Sequence, residues 1–324
     1  MNPAALLIPP ALLTALLFWK RTATLHERLF PGLYRSEVFP EDRFPARDPE
    51  AFRAEVTAGY GAMREGSAIL CGLTRDDAAT LPLTIRRIER TGERFRDYRV
   101  ILFENDSRDA TPAILKRWAA ENPRVRVISE SIAGTAIARL GRTERLAWCR
   151  NRYLDAIRQD QAYRPFEYVI VADMDLTGGW SLDGLASGFA HPGWDAMASN
   201  SLGYHYLRRT YYDIYALDPV SVLRQGFLQR LIGQAWPLRR GDPPIPVRSA
   251  FGGLAVYRKD PLLQRRYSGI REGKPLCEHR ALNADGRLRC FLNPSQITVV
   301  GTQDVKGGPA RPGREALRKL FLNW

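Results

Sequence analysis

Cysteine and histidine are both scarce in this sequence, with four of each among 324 residues. Cys71, Cys149, Cys277 and Cys290 lie far apart and form no C-x-x-C pair. That spacing excludes a disulfide-stapled scaffold and a zinc ribbon, and it points to a reducing compartment. Cys149 and Cys290 each fall inside an apolar pattern and read as small buried hydrophobes. Acidic residues are in deficit: 35 Asp and Glu face 48 Lys and Arg, leaving a formal charge of +13. Such a surplus favours anionic partners, whether nucleic acid, acidic lipid or a phosphorylated substrate. A merely arginine-rich surface would give the same balance. No internal repeat and no low-complexity segment interrupts the chain.

Charge is also missing from the start. The opening run "MNPAALLIPPALLTALLFWKR" has no charged side chain before Lys20. A spanning helix needs about 20 apolar residues, and this run falls slightly short and is broken by Pro9-Pro10. A secretory signal places Lys or Arg ahead of the apolar stretch, the reverse of the order here. Residues 1–30 are therefore expected to anchor the protein to a membrane, as a short signal-anchor or a segment in one leaflet. A buried first helix of the globular body is the alternative. At the other end, residues 306–324, Leu317, Leu320, Phe321 and Trp324 recur at helical spacing beside Arg314, Arg318 and Lys319. A basic amphipathic tail of this kind suits an anionic membrane surface, or docks on the body. The expectation is a membrane-associated protein on the cytoplasmic face.

Between these ends, strand and helix patterns alternate. Residues 31–66 are Pro-rich and irregular, closing in a short helix. "SAILCGLTRDD" reads as a first strand with a polar tip, and "LPLTIRRIERTGERF" as a helix. "YRVILFENDSRDAT" is a second strand with an acidic tip. Asp109 to Thr111 can cap the helix "PAILKRWAAEN", which has Pro112 at its start. "RVRVISES" is a third strand, "TERLAWCRNRYLDAIRQD" a long helix, and "EYVIVADMD" a fourth strand. Strands separated by helices imply an α/β fold with a mostly parallel sheet covered on both faces. Ligands of such sheets sit beyond the carboxyl ends of the strands. Arg75-Asp76-Asp77, Glu104-Asn105-Asp106-Ser107 and Asp173-Met174-Asp175 all fall there.

The stretch "YVIVADMDLTGG", residues 168–179, is the sharpest of these tips. Two carboxylates two residues apart at the end of a buried strand repel each other unless something neutralises them. A hard divalent ion, Mg²⁺ or Mn²⁺, takes oxygen ligands and shares them readily with a diphosphate. It then acts as a Lewis acid on a leaving phosphate. Moving a sugar from a nucleotide diphosphate needs that chemistry.

"ILFENDSRDAT", "RTERLAWCRNRYL" and "YVIVADMDLTGG" together resemble the nucleotide-binding half of GT-A fold glycosyltransferases. The phrases are most similar to the fungal capsule-associated α-1,3-mannosyltransferases of glycosyltransferase family 69 and to related mannan polymerase subunits. The likeness spans roughly residues 67 to 300 and includes "WDAMASN", "YYDIYALDP", "FGGLAVYR" and "CEHRAL". It implies a GT-A domain over 67–305, with a nucleotide-sugar half (67–180) and an acceptor half (181–305). It makes Asp173 and Asp175 the metal-diphosphate motif and sets Glu104 and Asp106 beside the base or ribose of the donor. Arg145, Arg150 and Asn151 would support phosphate or the acidic wall of the site. His279 would complete the metal shell, and Glu278 would be the acceptor-side carboxylate. Retention of anomeric configuration, a mannosyl donor, and a glycan or lipid-linked acceptor in polysaccharide biosynthesis follow from the same likeness.

Other uses stand beside these. Arg145 and Arg150 can pair with Glu144, Asp155 or the strand tips, and His279 can be a helix-surface residue. Gly252-Gly253 is either a close-packed strand entry or a place where backbone approaches a sugar. Tyr211, Tyr212, Trp194 and Trp236 form an acceptor cleft or belong to the core. "DMDL" runs into Thr-Gly-Gly-Trp and not into further acids, so donor and acceptor need not match the fungal enzymes. "VIVADMDLT" also fits the D-x-D-x-T of aspartyl-phosphate phosphohydrolases, where the first Asp attacks phosphorus. No G-D-x-x-x-D follows it, since Gly241-Asp242 leads into Pro243-Pro244. A basic nucleic-acid-binding protein explains the charge but not the acidic tips, which repel phosphate. No nucleic-acid partner is expected.

Overall fold

A computed structural model describes residues 27, 29–205, 208–220 and 238–301. The expected anchor (apart from Glu27, Leu29 and Phe30), the basic tail and Trp236 lie outside the described residues. No described helix is long and apolar enough to cross a membrane.

The first four strands are β1 (Ser67–Thr74), β2 (Asp97–Glu104), β3 (Val125–Ser129) and β4 (Tyr168–Asp173). They pair in parallel in the order β3-β2-β1-β4. The helices around them are α1 (Pro49–Glu65), α2 (Leu81–Gly92), α3 (Thr111–Glu121), α4 (Arg142–Gln159) and α5 (Leu182–Phe189). Side chains of β1 alternate between two cores, as a strand covered on both faces requires. Ile69 and Cys71 join Ala147, Tyr153, Leu154 and Ile157 of α4. Ala68 and Leu70 join Leu81 and Ile88 of α2, Leu115 and Trp118 of α3, and Leu185 and Ala186 of α5.

The second half continues the same sheet. Its strands are β5 (Gly179–Trp180), β6 (Ala196–His205), β7 (Arg208–Tyr211), β8 (Asp218–Pro219), β9 (Ile245–Ser249) and β10 (Leu254–Arg258). The small hairpin β11 (Ile270–Arg271) and β12 (Lys274–Pro275) precedes helix α6 (Glu278–Leu282) and the last strand, β13 (Cys290–Val299). Beyond β4 the order runs β10-β6-β13-β9-β8. β10 is antiparallel to both of its neighbours, while β6 and β13 pair in parallel. A mixed sheet, parallel from β3 to β4 and carrying the reversed strands β5, β7, β9 and β10 beyond, covered by helices on both faces, is the GT-A arrangement.

One local expectation changes. Residues 31–66 do not end in a short helix: α1 is 17 residues long, started by Pro49 and capped by the Asp48 side chain. Its glycines hid it, yet Gly59 is where α1 meets α5 so closely that a Cβ would lie 1.8 Å from Ala186 O. The irregular lead-in before it packs Leu33, Tyr34, Phe39 and Phe44 on Leu202, Ile297 and Val299.

Candidate active site

The strand register lines the polar tips along one edge. Leu73 pairs with Asp173, Thr74 with Glu104, and Glu104 with Ser129. Loops after β1 and β2 are sewn together: Asp76 Oδ1 accepts from Arg108 N at 2.7 Å, and Asp109 Oδ2 accepts from Ala78 N at 2.9 Å. Asp109 Oδ1 also takes Thr111 N at 2.9 Å, from one residue before the Ala110 cap position, so the expected side-chain cap of α3 is not formed at the cap itself. Asp76 and Asp106 both sit at positive φ, 54° and 50°, where short acidic side chains are tolerated.

Between Asp173 and Asp175, Met174 is buried in the core under α2. Fixing that one side chain inward turns the two flanking carboxylates away from the core. Asp173 Oδ1 accepts from Arg150 Nη2 at 3.4 Å. The same guanidinium donates from Nε to Glu278 Oε1 at 3.1 Å. It lies 5.1 Å from the Phe251 ring centre and 5.9 Å from that of Tyr267. Arg150 therefore joins the end of β4 to α6 through one buried cation. Burial, helped by Asp175, Asp213 and Glu278, outweighs Arg150 and pushes the Asp173 carboxyl up to about 7.

Asp213 was not singled out in the sequence. It accepts from Gly252 N at 2.9 Å and Ala216 N at 3.3 Å, and burial raises its carboxyl above the ordinary range. Its field reaches Asp173. A lone acid between aromatic residues carries no spacing signal, so only the fold reveals it. Gly252 and Gly253, at φ 67° and 80°, turn the chain beside it into β10, and Gly253 O accepts from Asp173 N at 2.8 Å. The glycine pair is thus a close-packed strand entry that buttresses the acidic motif.

The remaining predicted residues divide. Glu104 is buried; Oε1 takes Ser107 N at 3.0 Å and Oε2 takes the Ser129 hydroxyl, so it shapes the tip of β2. Asp106 Oδ1 accepts from Ser131 Oγ at 2.6 Å, and Oδ2 from Ile132 N and Asn105 Nδ2, each at 3.1 Å. Ser131 and Asn105 hold its carboxyl down to about 2. Arg145 donates to Leu140 O at 2.6 Å. Asn151 brackets the Tyr267 backbone, donating to its carbonyl and accepting from its N–H, both at 3.0 Å. His279 is no surface residue. It stacks on Phe251 at 3.8 Å, meets Tyr257 OH through Nδ1 at 3.5 Å and faces Glu278 Oε1 at 3.7 Å. Burial, and then Arg150, presses the imidazole well below its ordinary pKa, so it is neutral. Trp194 and Tyr211 are buried in the core, whereas Tyr212 is 48% exposed.

Among the described residues, no group of three or more His, Cys, Asp or Glu side chains stands ready to hold an ion. His279 is accordingly not brought into one metal group with Asp173 and Asp175. The two aspartates fit a hard cation in another way. Burial and three neighbouring carboxylates disfavour the Asp173 charge against one guanidinium, and a divalent ion would favour it. Such an ion keeps few protein ligands and shares the rest of its shell with phosphate and water.

Residues 73–177 match the family model described as glycosyl transferase family 2. The match covers the stretch from the end of β1 through the acidic motif, about a third of the chain. No curated protein matches the chain. Among solved structures, it is similar to the mannosyltransferase PcManGT from Pyrobaculum calidifontis, in complex with GDP-Man and Mn²⁺. That alignment has 15% identity and a TM-score of 0.45, covering 83% of this chain and 68% of the other. TarS of S. aureus follows at 12% identity and TM-score 0.43, over 73% of this chain and 60% of TarS. GalNAc-T7, solved with UDP, GalNAc and Mn²⁺, aligns at 13% identity and TM-score 0.42, over 74% of this chain and 44% of its own. Likeness this distant leaves the chemistry of the site to its own geometry.

Proposed function

We propose that the protein is a metal-dependent glycosyltransferase that moves a hexosyl unit, mannosyl from GDP-mannose in the first instance, onto a glycan or lipid-linked acceptor. The observation that carries this reading is the pair of carboxylates, Asp173 and Asp175, turned out by buried Met174 at the edge where three other strands also end. Bound there, a divalent cation would supply Lewis-acid relief of the charge building on a leaving diphosphate. Asp173 and Asp175 would hold it. Arg150 keeps Asp173 and Glu278 in fixed relation. Glu278 and Asp213 are the carboxylates on the acceptor side, suited to orient an acceptor hydroxyl. The uncharged run before Lys20 supports an acceptor at a membrane surface, on the cytoplasmic face.

The test is nucleotide release from a panel of UDP-, GDP- and CMP-sugars, with and without Mn²⁺ or Mg²⁺. One donor should turn over in the presence of metal. Asp175→Asn keeps the shape but removes a charged ligand, so it should abolish transfer and weaken Mn²⁺-dependent nucleotide binding together. Hydrolysis of simple phosphate esters, with no release from any nucleotide sugar, would instead establish the aspartyl-phosphate chemistry.

A further inference from the structure

The loop that carries Asp175 is gripped by one face of α2. Thr84, Arg87 and Thr91 recur at three- and four-residue intervals and so line up along the helix. Thr84 Oγ1 donates to Met174 O at 2.9 Å. Arg87 donates from Nη1 to Leu176 O at 2.7 Å and from Nη2 to Thr177 O at 2.9 Å. Thr91 Oγ1 accepts from Trp180 Nε1 at 2.9 Å. The backbone is therefore fixed on both sides of Asp175. Gly179, at φ 67°, lets the guanidinium lie against the chain, for a Cβ there would come within 2.6 Å of Arg87 Nε. The same guanidinium donates to Ser36 O from Nε at 3.2 Å and from Nη2 at 2.6 Å. Beside it, Arg86 and Arg90 pair with Glu37 at 2.8 and 3.7 Å. Burial presses the Arg87 pKa down to about 10, and it stays cationic at neutral pH.

We propose that Arg87, assisted by Thr84, is a positioning residue for the metal-diphosphate site, setting the Asp175 carboxylate through the carbonyls of residues 174, 176 and 177 and clamping the lead-in at Ser36 to the same loop. The inference rests on the reading of Asp173 and Asp175 given above. Carbonyls held by a buried cation cannot swing away without leaving that cation short of acceptors. Groups that orient metal ligands typically weigh about 10–100-fold in metal affinity.

The experiment uses the full chain and two variants, Thr84→Val and Arg87→Lys. Amide hydrogen exchange is followed over residues 33–38 and 174–180. Mn²⁺ is titrated in the presence of GDP or UDP, and thermal unfolding is recorded alongside. Thr84→Val should keep its melting temperature within a few degrees, exchange faster at 174–177, and need about tenfold more Mn²⁺ for half-saturation. Arg87→Lys, which loses the fork that spans the carbonyls of residues 36, 176 and 177, should also loosen residues 33–38. A merely structural role would lower the melting temperature and leave the half-saturating Mn²⁺ unchanged. Wild-type exchange and wild-type Mn²⁺ demand in both variants would overturn the proposal. Should the wild type bind neither nucleotide with Mn²⁺, the glycosyltransferase reading falls, and the exchange data alone decide what Arg87 does.

Discussion

Replacing Arg150 by methionine keeps an unbranched apolar stem and removes the cation shared by Asp173 and Glu278. Removing one partner of a buried pair typically costs about 3–5 kcal/mol, because the other charge is left uncompensated. Here the two carboxylates contribute unequally. The Glu278 side chain is 5% exposed, whereas that of Asp173 is 38% exposed and screened by solvent. The estimate therefore rests on Glu278, with about 0.5–1 kcal/mol added for the lost contacts over Phe251 and Tyr267. About 4 kcal/mol at pH 8 is expected. The loss should depend on pH, and the sign follows from the protons bound. In the wild type Asp173 titrates near 7, against about 3.9 for an unfolded aspartate. The native state thus holds more protons between those values, and stability falls as pH rises through that window. Without Arg150 the native carboxyl is raised further and the fall continues past pH 7, where the wild type levels off, so wild type and variant should lie closest at pH 5 and farthest apart at pH 8. Urea unfolding at both pH values, followed by circular dichroism, reads the difference. An equal loss at both, or one below about 1 kcal/mol at pH 8, would refute the picture of a cation shared by two carboxylates.

Asp106→Ala frees Ser131, Ile132 N and Asn105 from one carboxylate, and about 1 kcal/mol of stability should go with it after solvent screening. Because the native carboxyl titrates near 2, its contribution is complete above about pH 4 and fades as pH falls toward 2. Unfolding curves of wild type and variant should converge over that acidic range, and a constant gap would show that the carboxylate is not held. Gly252→Ala places a Cβ 2.3 Å from Ser199 O at a φ of 67°. The backbone conformation alone costs about 1–3 kcal/mol, so the melting temperature should drop by at least about 3 °C. An unchanged melting temperature would mean that the strand entry yields.

The half of the sheet from β3 to β4 was legible because its signals are local. The strands "SAILCGLT" and "YVIVAD" are unbroken apolar runs ending in acids, and α4 shows its helical spacing over 18 residues. The half beyond β4 hides its logic. Strands β6 and β13 bury Ser199, Asn200, Ser201, Asn293, Ser295, Gln296 and Thr298, so hydrophobic periodicity fails there. What satisfies them is tertiary: Gln296 donates to Ser199 Oγ at 2.9 Å, and Asn200 to Pro294 O at 3.1 Å. A register shift between Asn293 and Ile297 further scrambles the alternation in β13. Arg87 was invisible for a related reason. On a helix as rich in arginine as α2, nothing in the sequence tells the guanidinium that faces carbonyls from those that face water. Asp106 and Asn151 were visible as residues, but which backbone atoms they hold depends on loops brought together by the sheet.

Strand β13 lies between β6 and β9 although its residues come after every other strand in the chain. During synthesis, β6 must therefore wait for about 90 further residues before its parallel neighbour exists, and until then it exposes an open edge to any chain nearby. β9 waits less, but it too depends on β13 for its place in the sheet. The parallel quartet β3-β2-β1-β4 is complete by Asp173, so its half can condense while the other is still being made. Nascent chains halted before residue 290 would then hold a formed acidic edge beside an unfinished sheet, and that interval is when this protein is most open to aggregation and to capture by chaperones.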